Sequence, residues 1–268
     1  MEQRDVRKLD LAKLNSMTKY PSVLPYHRMD AANKGALSDD FSHDFSGCGS
    51  VIGREKVDGT NARIVFPGSD TFILGSREDF LSARGDLISN PALHIATTLR
   101  EKAEELVPLM REIHQGSNIV VVFVEVYGGN VHANSPQYTG NKTLGYRGFD
   151  VAVIDPGDLF VRTQEAIAQW RDAGGQTFLD NDSLEVLMGR MQIPMAPSLF
   201  EIESVLLPGT HEEALEFLKQ HTPATLCSLD EGAGGKSEGI IVRSADRGII
   251  AKMRYEDYYR TQKRLAKK

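Results

Sequence analysis

Between residues 118 and 129 the chain reads NIVVVFVEVYGG. An apolar, β-branched run this short, closed by two glycines, predicts a strand buried on both faces rather than a helix. Such a strand belongs inside a sheet that is covered on each side, so the chain must also supply helices. Leu93, Ala96, Leu99, Ala103, Leu106, Met110 and Ile113 recur at helical spacing and predict an amphipathic helix over 91–114 that packs on the sheet. The exception within the strand is Glu125. A carboxylate in an apolar strand is costly unless it is paired or used.

Further β-like runs are NARIVF, TFILGS, GFDVAVID, EGIIVRS and RGIIAKM, and shorter helices are predicted near 163–173, 183–191 and 210–220. Thr210, with Glu213 three positions on, forms a capping box for the last of these. The fold class is therefore α+β. Two stretches rich in Gly, Asn and Ser, 128–148 and 229–239, read as loops, and long polar loops in a compact domain are usually functional or mobile.

With 268 residues, 41% apolar and 25% charged, the chain has the composition of a folded globular protein: one large domain, or one with a small appendage. No apolar run approaches the ~18 residues of a membrane span, and the N-terminus MEQRDVRKLDLAKL is charged where a signal peptide is apolar, so a cytosolic protein is expected. Cys48 and Cys227 have neither metal-type spacing nor a disulfide framework. The seven histidines show no HxxxH or Cys/His cluster, which argues against zinc. GGKS at 234–237 lacks the leading glycine of a P-loop. The net charge of −6 argues against indiscriminate nucleic-acid binding, yet residues 1–35 carry +3 and residues 252–268 carry +5. The basic RTQKRLAKK end reads either as a solvated helix end or as a patch for a phosphate backbone.

Glu125 is one of several ionic residues at strand ends: Glu55 and Lys56, Arg77 after ILGS, Glu238, and Lys252 with Arg254 repeat the habit, which implies a shared polar cleft. Lys56, Asp58 and Gly59 form a KxDG pattern, which alone arises by chance in on the order of one in twenty chains of this length. Order adds what the short pattern lacks. EKVDGTN, SRE, FVEVYGG, GFDVAVI, SEGIIVR and AKMR follow one another over about 55–254, each at the end of a predicted strand. In this order they resemble the covalent nucleotidyltransferase superfamily of RNA ligases, DNA ligases and capping enzymes. The sequence is most similar to phage-type, ATP-dependent RNA ligases of the double-strand-sealing branch.

The resemblance implies a nucleotidyltransferase core of two mainly antiparallel sheets flanked by helices. It implies that Lys56 attacks ATP to form a lysyl–AMP intermediate, that the AMP passes to an RNA 5′-phosphate, and that a 3′-hydroxyl then displaces it. Gly59 would let the backbone pass close to the nucleotide. Lys252 would grip the nucleotide phosphate, with Arg254 as a second cation, and Arg77 would contact ribose or phosphate. Glu125 and Glu238 would serve ribose and a hydrated magnesium or manganese ion. Phe149 would stack on adenine, and Glu55 and Asn61 would lie around the nucleoside and metal waters. Structural readings stand beside these: Phe149 as a core residue, Glu238 as a loop carboxylate, and Arg77 paired with Glu78 or Asp79 at the surface.

Implied partners are RNA with 3′-OH and 5′-phosphate ends and, as a second candidate, an end-healing kinase/phosphatase, in the cytoplasm of a bacterial or phage-infected cell. Three departures qualify the likeness. Arg254 stands where the family commonly has lysine, and Asp58 where the nearest branch often has histidine. Only fourteen residues follow Arg254, which leaves no room for a C-terminal oligonucleotide-binding (OB) domain and predicts a minimal core. The expected division is 1–50 as an N-terminal segment packed on the core, 51–254 as the catalytic domain and 255–268 as a basic tail. MTKYPSVLPYH looks like the opening of some small phage RNA ligases and equally fits a structural strap. Rival readings are a DNA ligase core, a capping-type guanylyltransferase, an adenylyltransferase that stops at the activated 5′ end, and an RNA-end-binding module without turnover.

Overall fold

The apolar run does form the centre of a sheet, and its alternation decides what covers each face. The computed structural model describes residues 6–31, 35–89, 92–113, 118–157 and 159–266. The described strands are β1 (Leu24–Pro25), β2 (His27–Met29), β3 (Leu37–Phe41), β4 (Ser50–Lys56), β5 (Thr60–Phe66), β6 (Ile73–Ser76), β7 (Phe80–Ala83), β8 (Asp86–Leu87), β9 (Ile119–Gly128), β10 (Leu144–Ile154), β11 (Thr177–Phe178), β12 (Ser198–Glu203), β13 (Gly239–Ser244) and β14 (Ile250–Arg254). The helices are α1 (Leu11–Met17), α2 (Ile95–Ile113), α3 (Gln164–Asp172), α4 (Asn181–Met191), α5 (His211–His221) and α6 (Tyr255–Leu265). They divide into two units.

The first unit comprises Met1–Pro21, Gly59–His132 and Leu144–Met195. Its sheet has the order β11-β10-β9-β5-β6-β7-β8, and every described pairing between these strands is antiparallel. On β9, Val120, Val122, Val124 and Val126 join a core with Leu99, Ala103, Leu106 and Met110 of α2. Ile119, Val121 and Phe123 join a second core with Leu14 and Met17 of α1 and Ile167 of α3. Side chains alternate across a strand, so an unbroken apolar run is what a sheet covered on both faces requires. Glu125 follows Phe123 on that second face.

The helix predicted over 91–114 begins later. Leu93 and His94 take left-handed backbone angles (φ 60° and 59°), which interrupts the helical ladder, so α2 starts at Ile95 and Leu93 is exposed. The predicted end residues, 91 and 114, lie outside the described residues. The other three predicted helices form as α3, α4 and α5, and Thr210 with Glu213 makes the capping box at α5.

The second unit comprises Ser22–Asp58, Ala133–Thr143 and Ala196–Lys268. Its five-stranded sheet has the order β1-β14-β13-β4-β12, and β2 pairs with β3. Val51, Ile240, Val242, Ala251 and Met253 pack with Ala214, Leu215 and Leu218 of α5 and Tyr258 of α6. The alternate residues of β4 and β14 are therefore turned away from this core.

Tyr20 ties the N-terminal segment into the first unit. Its ring meets Phe123, Phe149 and Phe178 edge-on at 4.9, 5.1 and 5.7 Å. Its hydroxyl donates to the fully buried Asp150 carboxylate at 2.9 Å. Tyr20→Phe keeps the ring and removes that donor, so urea denaturation is expected to show a loss of about 1–3 kcal/mol with the fold retained.

Candidate active site

In the second unit, three strand ends converge. Gly239, the first residue of β13, pairs with Lys56 on one side and Arg254 on the other, and Ile241 pairs with Arg54 and Lys252. Cross-strand partners share a face, so Arg54, Lys56, Lys252 and Arg254 lie on the face opposite the apolar core. A Cβ at Gly239 would come within 2.0 Å of the Met253 carbonyl oxygen, so only glycine fits between the two cationic strand ends.

Lys56 Nζ is 2.6 Å from Glu238 Oε2, and both side chains are largely shielded, at 24% and 16% exposure. Burial raises the Glu238 carboxyl, Lys56 opposes that, nearby Asp58 adds to it, and the balance holds it above the usual glutamate range. Arg254 spans Asp257 at 2.7 and 2.8 Å through Nε and Nη2, and Asp257 also accepts from Arg260. Burial acts to lower the Arg254 value, but the Asp257 hydrogen bonds and charge outweigh it. This gives the arginine a physical reason, because a planar fork grips a carboxylate bidentately and an ammonium does not.

Glu55 lies on the other face. It is buried and accepts from the Thr225 hydroxyl and, at 2.8 Å, from the Leu226 amide. The Asp58 amide donates to Tyr138 Oη at 2.7 Å, and Asn134 Nδ2 donates to the Asp58 carboxylate at 2.6 Å. Thr225, Tyr138, Asn134 and Asp257 were not singled out from sequence. A tyrosine inside the polar stretch SPQYTGN was the available signal for Tyr138.

The first unit positions Glu125, Asn61, Arg77 and Phe149. In the ladder Glu125 stands between Asn61 of β5 and Arg147 of β10. Its Oε1 accepts from the Gly59 amide at 3.2 Å. A Cβ at Gly59 would lie 2.3 Å from the Val126 carbonyl oxygen, which accounts for the motif glycine on packing grounds. Asn61 Oδ1 is buried and has no hydrogen-bond partner among the described residues. Phe149 sits at a bulge between Gly148 and Asp150, half-buried, edge-on to Tyr20 and 6.2 Å from the Phe123 ring. Arg77 is exposed, with Nε 3.7 Å from Glu78, and its carbonyl accepts from the buried Arg63 at 3.4 Å. Within each unit most of the predicted residues thus lie at or near strand ends, with Phe149 at the mid-strand bulge of β10, Glu55 turned inward and Arg77 turned to solvent.

The family model described as RNA ligase matches residues 49–254, well over half of the sequence. The chain belongs to the RNA ligase family. Its fold is similar to that of Naegleria gruberi RNA ligase. One mutant of that protein, with ATP and Mn, aligns at a TM-score of 0.54 and 13% identity over 82% of this chain and 52% of that one. A second mutant, also with ATP and Mn, gives 0.54 and 12% over 91% and 64%. The same protein with PPi gives 0.52 and 13% over 81% and 52%. The chain spans about half the length of the first of these structures, and identities this low establish the α+β nucleotidyltransferase fold alone. No curated protein matches the sequence. Among the described residues no helix is long and apolar enough to cross a membrane.

The raised Glu238 carboxyl makes a signed prediction. A carboxyl with a folded value above its unfolded one contributes stability fully below the unfolded value, near about 4.3, and loses it as pH rises through the folded value. Glu238→Gln, which cannot ionise, should therefore gain stability relative to wild type as pH rises from about 4 to about 7. Urea denaturation across that range checks the slope.

Proposed function

We propose that the chain is an ATP-dependent RNA ligase that joins 3′-OH and 5′-phosphate ends. The observation that carries this reading is Lys56, a lysine at a strand end with its Nζ 2.6 Å from a shielded glutamate, on a sheet face shared with Lys252 and Arg254. The Lys56 amine attacks the α-phosphorus of ATP. A phosphorus–nitrogen bond forms, the bond to the bridging oxygen breaks, and pyrophosphate leaves. Glu238 is within reach of the amine, and its raised carboxyl suits it to receive the proton that the amine sheds. The AMP then passes to the RNA 5′-phosphate, and the 3′-hydroxyl displaces it.

Lys252 would bind the nucleotide phosphate, while Arg254, fixed by Asp257, would supply a stationary positive charge beside it. Arg77, exposed, would reach ribose or phosphate. Phe149 would offer a ring to adenine, with Glu55 acting through its support of the Thr225–Leu226 segment on the nucleoside side. Each unit by itself offers oxygen donors that would suit a divalent ion: Glu125 in the first, beside the buried Asn61 Oδ1 that lacks a hydrogen-bond donor among the described residues, and Glu238 in the second. Oxygen donors of this kind suit magnesium or manganese, which when bound would neutralise phosphate charge.

All of these residues except Asp257, which fixes Arg254 from the first turn of α6, fall within 51–254, with 1–50 and 255–268 as flanking segments. The substrate ends require healing wherever cleavage leaves other termini, which makes a kinase/phosphatase the natural upstream activity. Two free cysteines suit a reducing cytoplasm, bacterial or phage-infected.

Sealing of a nicked RNA duplex carrying a labelled 5′-phosphate tests the reading. With ATP and magnesium, wild type should yield adenylylated 5′ ends and then sealed strand, whereas Lys56→Ala should yield neither. Lys252→Ala should slow lysine adenylylation by about 100-fold or more. Adenylylated ends that never seal would instead indicate an adenylyltransferase.

A further inference from the structure

Lys56 is the last residue of β4, so the segment that follows it has left the ladder. Two residues on, the Asp58 amide donates to Tyr138 Oη at 2.7 Å. Tyr138 is 1% exposed, and burial pushes its phenol up, which keeps a neutral hydroxyl in a fixed place as the acceptor. Asn134, four residues earlier, holds the Asp58 carboxylate at 2.6 Å.

The stretch that carries Asn134 and Tyr138 is anchored in turn. The Leu229, Gly234 and Gly235 amides donate to the carbonyls of Tyr138, Pro136 and Gln137 at 2.7, 2.8 and 3.0 Å. Asp230 accepts from the Thr139 hydroxyl and, at 2.8 Å, from the Gly140 amide. Gly140 and Gly232 meet backbone to backbone, and a Cβ at Gly140 would lie 2.7 Å from the Gly232 Cα. The two polar stretches read from sequence as loops are therefore zipped together, and the second runs directly into Glu238. One hydrogen-bonded piece holds both the chain that leaves Lys56 and the chain that arrives at Glu238.

We infer that Tyr138 is a positioning residue for Lys56, acting through the backbone of Asp58 with Asn134 in support. The inference rests on the ligase reading and deepens it. A strand end that could swing by a fraction of an ångström would spread the Lys56 amine over several directions, and reactions of this kind lose rate steeply with misplacement. The Asp58–Tyr138 hydrogen bond removes that freedom. The same strap accounts for aspartate at position 58, since a carboxylate there has Asn134 as its donor.

Single-turnover formation of the lysyl–AMP adduct, over a range of ATP concentrations, tests this in Tyr138→Phe and Asn134→Ala. For Tyr138→Phe the maximal rate should fall by about tenfold or more, while the ATP concentration for half-maximal rate and the thermal midpoint stay close to wild type. Asn134→Ala, at an exposed site where folding is not at risk, should lower the rate by about threefold. An unchanged rate in both variants would overturn the inference. So would a loss that tracks the thermal midpoint or the ATP half-saturation, since that marks a structural part and not a positioning one. If Tyr138→Phe fails to fold, Asn134→Ala decides alone. Wild type that forms no adduct would bring down the ligase reading and this inference with it, an outcome distinct from a wild type that reacts while the variants react equally fast.

Discussion

A lysine kept 2.6 Å from a glutamate, in a place where water reaches little of either, is the contact on which the second unit's site is organised. Taking charges from water is costly, and a pair in such a place holds only if its geometry is held for it. Gly239 admits the close approach of the β4 and β14 ends, and the zipped loops fix the chain on both sides of the pair. The Glu238 carboxyl nevertheless remains above the usual range, so burial exceeds what Lys56 returns. A pair balanced in this way can give up its contact to an incoming phosphate and can move a proton, as the nucleophilic role proposed for Lys56 requires.

The first unit supplies rigidity of a different kind. Its central strand is apolar on both faces along most of its length, so it cannot rotate or slip without exposing a full row of valines. Glu125 comes at the end of that row, where strict register fixes its position between Asn61 and Arg147. A costly side chain is thus carried by the most constrained strand available. The aromatic group around Tyr20 does the same for Phe149, which is held at a bulge instead of in a regular ladder position.

Much of this was legible in the sequence, and the part that was not has a common cause. An unbroken apolar, β-branched run disclosed β9, a period of 3.6 disclosed α2, and the capping box disclosed α5, because these patterns are local. The start of α2 was misread because nothing in a leucine and a histidine announces a left-handed backbone at Leu93 and His94. The ionic strand ends pointed to Lys56, Glu238 and Lys252 in the second unit and, separately, to Glu125 in the first. Their supports were hidden, since the contacts between Glu55 and Thr225, and between Asp58 and Tyr138, join residues 170 and 80 positions apart. Arg254 with Asp257 is the instructive intermediate. The spacing of three was visible, yet that Asp257 would be buried and would fix the arginine follows only from α6 packing on the sheet.

The most direct test of the account is the mass of the intact protein, freed of any bound AMP and incubated with ATP and magnesium, followed by peptide mapping of any modified species. The account predicts a single AMP attached to the peptide that contains Lys56. Folded protein that acquires no AMP, or acquires it at another residue, would contradict it.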